Sequence, residues 1–88
     1  MNSAFSSGGW EDYVHWQATD RRTLERVNDL IKDALRHPFN GIGKPEPLRG
    51  TLKGFWSRRI TQEHRLVYRV VGQGDDEVLV IAQCRYHY

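Results

Sequence analysis

The sequence predicts an α+β fold: a short first strand, a hairpin of two helices, then an antiparallel meander of three strands. Three observations carry this. Two stretches place apolar side chains at helical spacing with only Thr19-Asp20 between them. A glycine- and proline-rich segment, Asn40-Gly41-Ile42-Gly43-Lys44-Pro45-Glu46-Pro47, follows the second. Beyond it come three strand-like runs separated by the turn-like joins Thr61-Gln62-Glu63 and Gly72-Gln73-Gly74-Asp75-Asp76.

The first strand, around Ser3 to Phe5, has little apolar surface to bury, since Asn2, Ser3 and Ala4 supply almost none. Ser6-Ser7-Gly8-Gly9 can cap and start a helix, after which Trp10, Tyr13, Val14 and Gln17 fall on one stripe at i, i+3, i+4, i+7. Three of the four are apolar, so this stripe is expected to pack. Asp20 reads as the N-cap of a second helix, whose Leu24, Val27, Leu30, Ile31, Ala34 and Leu35 form a continuous apolar face ending before Pro38. The short join makes the pair an antiparallel hairpin, which needs a sheet to cover its apolar face.

Residues 40–47 read as a stiff loop, too short for a domain linker. The strand-like runs extend from Leu48 to Ile60 with a break at Gly54, from His64 to Val71, and from Val78 to Tyr86. In the middle run Leu66, Tyr68 and Val70 alternate with Arg65, Val67 and Arg69, which puts an apolar row against the helices and turns Arg65 outward. In the last run Gln83, Arg85 and His87 share one face, and Cys84, Tyr86 and Tyr88 the other. His87 and Tyr88 then point apart unless a terminal twist brings them to one site.

With 88 residues the chain is expected to form one domain over residues 1–88, burying only roughly 60 to 65% of its unfolded surface. Three Trp, four Tyr and three Phe are many for such a thin core, so some belong at an interface. Net charge is +2, yet Arg49, Lys53, Arg58, Arg59, Arg65, Arg69 and Arg85 gather in the second half. That favours a phosphate-bearing partner, although a solvated arginine face gives the same pattern. No apolar run approaches membrane-spanning length and the first residues lack the order of a secretory signal, which predicts a cytoplasmic protein. The lone Cys84 excludes an internal disulfide and, in an apolar strand, reads as a small core residue. The four His show no metal-ligand spacing, so no metal or other cofactor is expected.

The residues that could carry chemistry lie late in the chain. The tail Cys84-Arg85-Tyr86-His87-Tyr88 follows a strand, so its imidazole and guanidinium should be held rather than frayed. A held His beside a held Arg suits chemistry on a phosphate, because imidazole exchanges a proton near neutral pH. Glu46 is the acid of the rigid Pro45-Glu46-Pro47 segment, which fixes its direction. Read from their residues alone, Glu46 also fits a solvated loop acid, His87 a surface or packing histidine and Arg65 a surface strand arginine, while His64, beside Arg65 and able to contact RNA, reads rather as a solvated turn residue. Gly41-Ile42-Gly43-Lys44 is not a phosphate loop, since Pro45 stands where a Ser or Thr and a helix are needed.

Gly43-Lys44-Pro45-Glu46-Pro47-Leu48, Phe55-Trp56-Ser57-Arg58-Arg59-Ile60, Glu63-His64-Arg65-Leu66-Val67-Tyr68 and the tail together resemble the YoeB toxins of the RelE-type toxin superfamily. Trp10-Glu11-Asp12-Tyr13, Trp16-Gln17 and Leu30-Ile31-Lys32-Asp33 extend the resemblance to nearly the whole chain. It implies a RelE-like fold with the helices on one face of a curved antiparallel sheet, ordered β-α-α-β-β-β, and the active site on the other face. It also implies a metal-independent endonuclease that cuts mRNA on the 70S ribosome. A YefM-like antitoxin would restrain it, operator DNA would be met only through the antitoxin complex, and a homodimer is compatible.

Under the resemblance Glu46, Arg65 and His87 become base, phosphate-charge stabiliser and acid for attack by the 2′-hydroxyl, giving a 2′,3′-cyclic phosphate and a free 5′-hydroxyl. Tyr88 becomes a base-stacking or scissile-phosphate contact. Arg59, Arg49 and, more loosely, Arg58 add RNA contacts, with Arg49 at a position commonly Lys in the family. A competing reading is a non-catalytic module that grips nucleic acid and regulates its own operon with an antitoxin. Glu46 together with His87 speaks against it, because phosphate binding gains nothing from a carboxylate. A purely partner-binding domain leaves the tail unexplained.

Overall fold

The computed structural model describes residues 1–87, so the sequence expectations for Tyr88, its role in the site and its place opposite His87, lie outside the described residues. Two helices, α1 (Ser7–Thr19) and α2 (Arg21–Arg36), cover one face of a sheet of β1 (Asn2–Phe5), β2 (Glu46–Pro47), β3 (Trp56–Arg59), β4 (Arg65–Val71) and β5 (Val78–Gln83). The strands lie in the order β1-β5-β4-β3-β2. Pairs among β2 to β5 are antiparallel, whereas β1 runs parallel to β5, with Phe5 opposite Ile81. The sheet is therefore mixed rather than wholly antiparallel, because the helical hairpin carries the chain from β1 to the far side before it returns.

β1 forms although it is nearly all exposed, because its stabilisation comes from the ladder with β5 rather than from burial. Ser6 joins it to α1: its hydroxyl donates to the Ala82 carbonyl at 3.2 Å and accepts the Gly9 N–H at 3.1 Å, capping the helix. Gly9 is buried against β5, where a Cβ would stand 2.3 Å from the Ile81 carbonyl oxygen. This glycine is needed for close approach of helix to strand.

The buried stripe of α1 is not the one the periodicity suggests. Trp10 and Val14 are 51% and 40% exposed, while Gly9 and Trp16 are buried and Asp12 and Tyr13 partly so. The packed stripe is thus Gly9, Asp12, Tyr13, Trp16, one residue earlier than the apolar pattern. The cause is polar: Asp12 accepts the Cys84 N–H at 3.0 Å and the Trp16 indole N–H donates to the Cys84 carbonyl at 2.8 Å. These two bonds set the rotation of the helix about its axis.

α2 follows its sequence closely. Asp20 caps it by accepting the Thr23 N–H at 3.1 Å and the Thr23 hydroxyl at 2.8 Å. Val27, Leu30 and Ala34 are fully buried, with Leu24, Ile31 and Leu35 packed at the margin of the same core. From the sheet come Leu66, Tyr68, Leu79 and Ile81. Residues of this kind bury roughly 1.5 to 3 kcal/mol each of transfer free energy, so the core is where most of the fold's stability arises.

The run from Leu48 to Ile60 is not one broken strand. Glu46 and Pro47 leave the loop to pair with Ser57 and Trp56, and 48–55 connect them through a turn of 3₁₀ helix at Gly50–Leu52. Leu48 N–H closes the connection on the Phe55 carbonyl at 2.9 Å. β5 stops at Gln83 rather than Tyr86, because Asp12 and Trp16 take the backbone groups of Cys84 that a ladder would use. One residue earlier, the register slips: Val67 faces Gln83 but Tyr68 faces Ile81, leaving Ala82 as a bulge. No helix among the described residues is long and apolar enough to cross a membrane.

Candidate active site

Opposed residues of antiparallel strands share a face, so Glu46, Ser57, Val67 and Gln83 form one row across β2 to β5. Leu66 and Tyr68 point into the helix-covered core, which places this row on the other face. Arg65 and Arg59 form the next pair along it. Arg65 Nη1 lies 4.0 Å from Glu46 Oε1, an electrostatic pair at a separation too long for a hydrogen bond. Arg65 is on the face expected but is not solvated: its side chain is 13% exposed, and its neighbour Val67 2%. Its Nε is buried with no acceptor among the described residues.

Glu46 owes its place to the segment before it. Gly43, at φ 80°, is so close to Leu30 and Arg58 that a Cβ would stand 2.6 Å from Leu30 Cδ2. Its carbonyl accepts the Arg59 N–H at 2.7 Å, which ties the loop to the end of β3. Lys44 follows at φ 52°, and Pro45 delivers Glu46 to the edge of the sheet. The Glu46 side chain is 56% exposed, open to a ligand from solvent.

The tail is fastened through backbone groups of Cys84, Arg85 and Tyr86. Beyond the bonds of Asp12 and Trp16 to the Cys84 backbone, the Gln83 side-chain amide donates to the Arg85 carbonyl at 3.0 Å. Tyr86 N–H donates to Nδ1 of His64 at 2.8 Å, and the Tyr86 carbonyl accepts the Arg65 N–H at 3.0 Å. Tyr86 adopts φ 66°, a left-handed conformation that ends the strand's alternation. His87 follows the carbonyl that Arg65 holds, so Arg65 meets Glu46 through its side chain and the root of His87 through its backbone. His87 is exposed and lines a groove with Glu11, Asp12, Gln83 and Arg85.

The other predicted RNA-binding arginines divide. Arg49 and Arg59 are exposed, Arg59 directly opposite Arg65. Arg58 is fully buried and all five of its N–H groups are engaged: Nε with the Tyr68 hydroxyl at 2.9 Å, Nη1 with Asp33 at 2.5 Å and the Ile42 carbonyl at 3.1 Å, Nη2 with the carbonyls of His37 and Asn40. It has no donor left for a nucleic acid and serves instead to anchor the loop that leads to Glu46. The bond from Arg58 holds the Asp33 carboxyl below the usual carboxylate range, helped by the Ile42 N–H. Burial raises the Tyr68 phenol, with Arg58 opposing the shift.

Cys84 is buried, and burial pushes its thiol up to about 12, which agrees with a core residue rather than a nucleophile. Asp12, Trp16 and His64 are the residues whose part in the site sequence reasoning missed. Asp12 and Trp16 share a helix face at i, i+4, a readable spacing, but their common target lies 72 and 68 residues away.

A family model for YoeB-like toxins of bacterial type II toxin-antitoxin systems matches residues 5–88. The chain is 57% identical to Toxin YoeB of Escherichia coli strain K12 over 88 residues, covering 100% of both chains. Its structure superimposes on that of the YoeB/ParE toxin from Agrobacterium tumefaciens with a TM-score of 0.95, 55% identity and 100% coverage of each. The YoeB dimer from Staphylococcus aureus, 44% identical, gives 0.86 over 100% of this chain and 98% of that one. The toxin of the heterotetrameric YoeB-YefM complex from the same organism, 45% identical, gives the same score and coverage. With the fold, the glutamate and arginine on the sheet face turned from the helices and the fastened histidine tail all in one chain, this protein belongs to the YoeB-like toxins of bacterial type II toxin-antitoxin systems.

Proposed function

We propose that this toxin is a ribosome-dependent mRNA endonuclease. The observation that carries the reading is Arg65: a nearly covered guanidinium whose Nε has no acceptor among the described residues, facing a carboxylate 4.0 Å away on the side of the sheet turned from the helices. A buried donor without a partner costs about 1–3 kcal/mol, and such a cost is commonly borne at functional sites. An anionic phosphoryl group is the ligand that this guanidinium suits.

In the reaction, Glu46 takes the proton of the 2′-hydroxyl, whose oxygen attacks the adjacent phosphorus. Arg65 neutralises charge on the phosphoryl oxygens as the P–O5′ bond breaks. His87 gives a proton to the departing 5′-oxygen, leaving a 2′,3′-cyclic phosphate and a 5′-hydroxyl. Tyr88 stacks on a base or touches the scissile phosphate, and Arg49 and Arg59 hold the flanking backbone. The chemistry needs no metal. The ribosome presents the mRNA and places the protein in the cytoplasm. As in the S. aureus complex, a YefM-like antitoxin is the natural partner, and exposed Trp10 and Val14 offer apolar surface for it or for a second copy of the chain.

The test is incubation of purified toxin with mRNA alone and with mRNA on ribosomes, followed by analysis of the new ends. The expected result is cleavage only on ribosomes, with cyclic phosphate and 5′-hydroxyl ends. Ends bearing a 5′-phosphate, or no cleavage on ribosomes by folded toxin, overturn it.

A further inference from the structure

The turn histidine His64 makes one contact whose geometry is more specific than its position suggests. Its Nδ1 accepts the Tyr86 N–H at 2.8 Å, so its proton, when neutral, resides on Nε2. The ring cannot swing away easily. Trp16 meets it edge-on at 4.8 Å and 76°, and the same indole is bonded to the Cys84 carbonyl. The backbone is pinned as well: the His64 carbonyl accepts the N–H groups of Ile60 at 3.0 Å and Thr61 at 3.2 Å, and its N–H donates to the Thr61 hydroxyl at 3.1 Å. The acceptor nitrogen is thus held facing the Tyr86 N–H.

Tyr86 needs such a partner. At φ 66° it occupies a region that residues with a Cβ rarely adopt, and the strand pattern before it favours continued extension. Two bonds hold it there, one to each of its backbone polar groups, and both come from the dipeptide His64-Arg65. Release of Tyr86 to an extended conformation would redirect His87.

We propose that His64 is a positioning residue: by accepting the Tyr86 N–H it fixes the backbone turn that sets where His87 enters the site. The role in catalysis rests on His87 acting as the acid. His64 need not touch RNA. It acts through the tail, in the way an outer partner orients a reacting group.

The test compares His64→Asn, His64→Gln and His64→Leu. Asparagine places its Oδ1 close to the position of Nδ1, whereas the polar end of glutamine lies nearer Nε2 and leucine has no acceptor. Three readouts are taken on the intact protein: hydrogen exchange of the Tyr86 amide, the ¹⁵N shift of His64 Nδ1 in the wild type, and single-turnover cleavage of ribosome-bound mRNA beside ribosome affinity. The expected shift is that of an unprotonated acceptor nitrogen. His64→Asn should keep Tyr86 protected and most of the cleavage rate. His64→Gln and His64→Leu should lose that protection and cleave roughly 10- to 100-fold more slowly at unchanged ribosome affinity, since a small misplacement of a reacting group costs that much. Equal exchange in all three variants, or equal loss of cleavage in Asn and Gln, overturns the proposal. If leucine prevents folding, the Asn and Gln pair still decides. Full cleavage by His87→Ala would remove the tail histidine from the reaction, while Tyr86 exchange would still report whether His64 holds the turn.

Discussion

Arg65 Nη1 stands 4.0 Å from Glu46 Oε1, while the Arg65 N–H donates to the Tyr86 carbonyl at 3.0 Å. One residue of β4 therefore links the loop that carries the carboxylate to the tail that carries the imidazole. The separation is too long for a hydrogen bond, so a phosphoryl group can compete for the guanidinium.

Arg65→Lys keeps the charge but loses the planar fork that can hold two phosphoryl oxygens. Single-turnover cleavage should fall roughly 10²-fold, as on removal of a transition-state donor. Ribosome affinity, measured in parallel, should change little. Equal losses in rate and affinity would make Arg65 a docking residue.

The loop anchor gives a pH signature. Because the Asp33 carboxyl is lowered by Arg58, it stays ionised in the folded chain where the unfolded carboxyl has already gained its proton. Its stabilisation is complete above the unfolded value, near pH 4, and is lost as pH falls through the lower folded value. Asp33→Asn should cost about 2 kcal/mol at neutral pH and give a flatter acid limb in denaturant unfolding. The limb should not become level, since the Asp20 carboxyl, lowered chiefly by the Thr23 N–H, acts in the same direction. An acid limb identical to that of the wild type would rule out the Asp33 contribution.

Cys84 offers a third check. With its thiol raised by burial to about 12, it should resist alkylation at neutral pH in the folded protein and react fast once denaturant unfolds the chain. Rapid labelling of the native state, followed by mass spectrometry, would show that the β5–α1 contact opens on its own.

How much of this was legible in the sequence depended on the range of the interactions. α2 was readable because its cap, Asp20, and its face, Val27, Leu30 and Ala34, are set by neighbours three or four residues away. The rotation of α1 was not, because Cys84 outweighs the apolar pull on Trp10 and Val14. The parallel seating of β1 and the pairing of Glu46 with Ser57 likewise depend on contacts distant in sequence. Among the candidate site residues, Glu46 and Arg65 are named in the sequence separately, and only the fold sets them 4.0 Å apart, while the RNA-contact reading of Arg58 fails: a charged residue beside Arg59 in a basic strand gives no sign that Asp33, Tyr68 and three carbonyls will enclose it. His64 reads in the sequence as a solvated turn residue, because a turn histidine reveals its target only when the tail folds back on it.

The most direct measurement of the central claim is single-turnover cleavage of ribosome-bound mRNA by Glu46→Gln and His87→Ala, each paired with thermal unfolding. Both residues have exposed side chains and little part in the core, so Tm should remain near that of the wild type. Loss of a general base or acid predicts that each variant cleaves roughly 10²-fold or more slowly. Near-wild-type cleavage by both, with unchanged unfolding, would contradict the assignment of this sheet face and tail as the site of RNA cleavage.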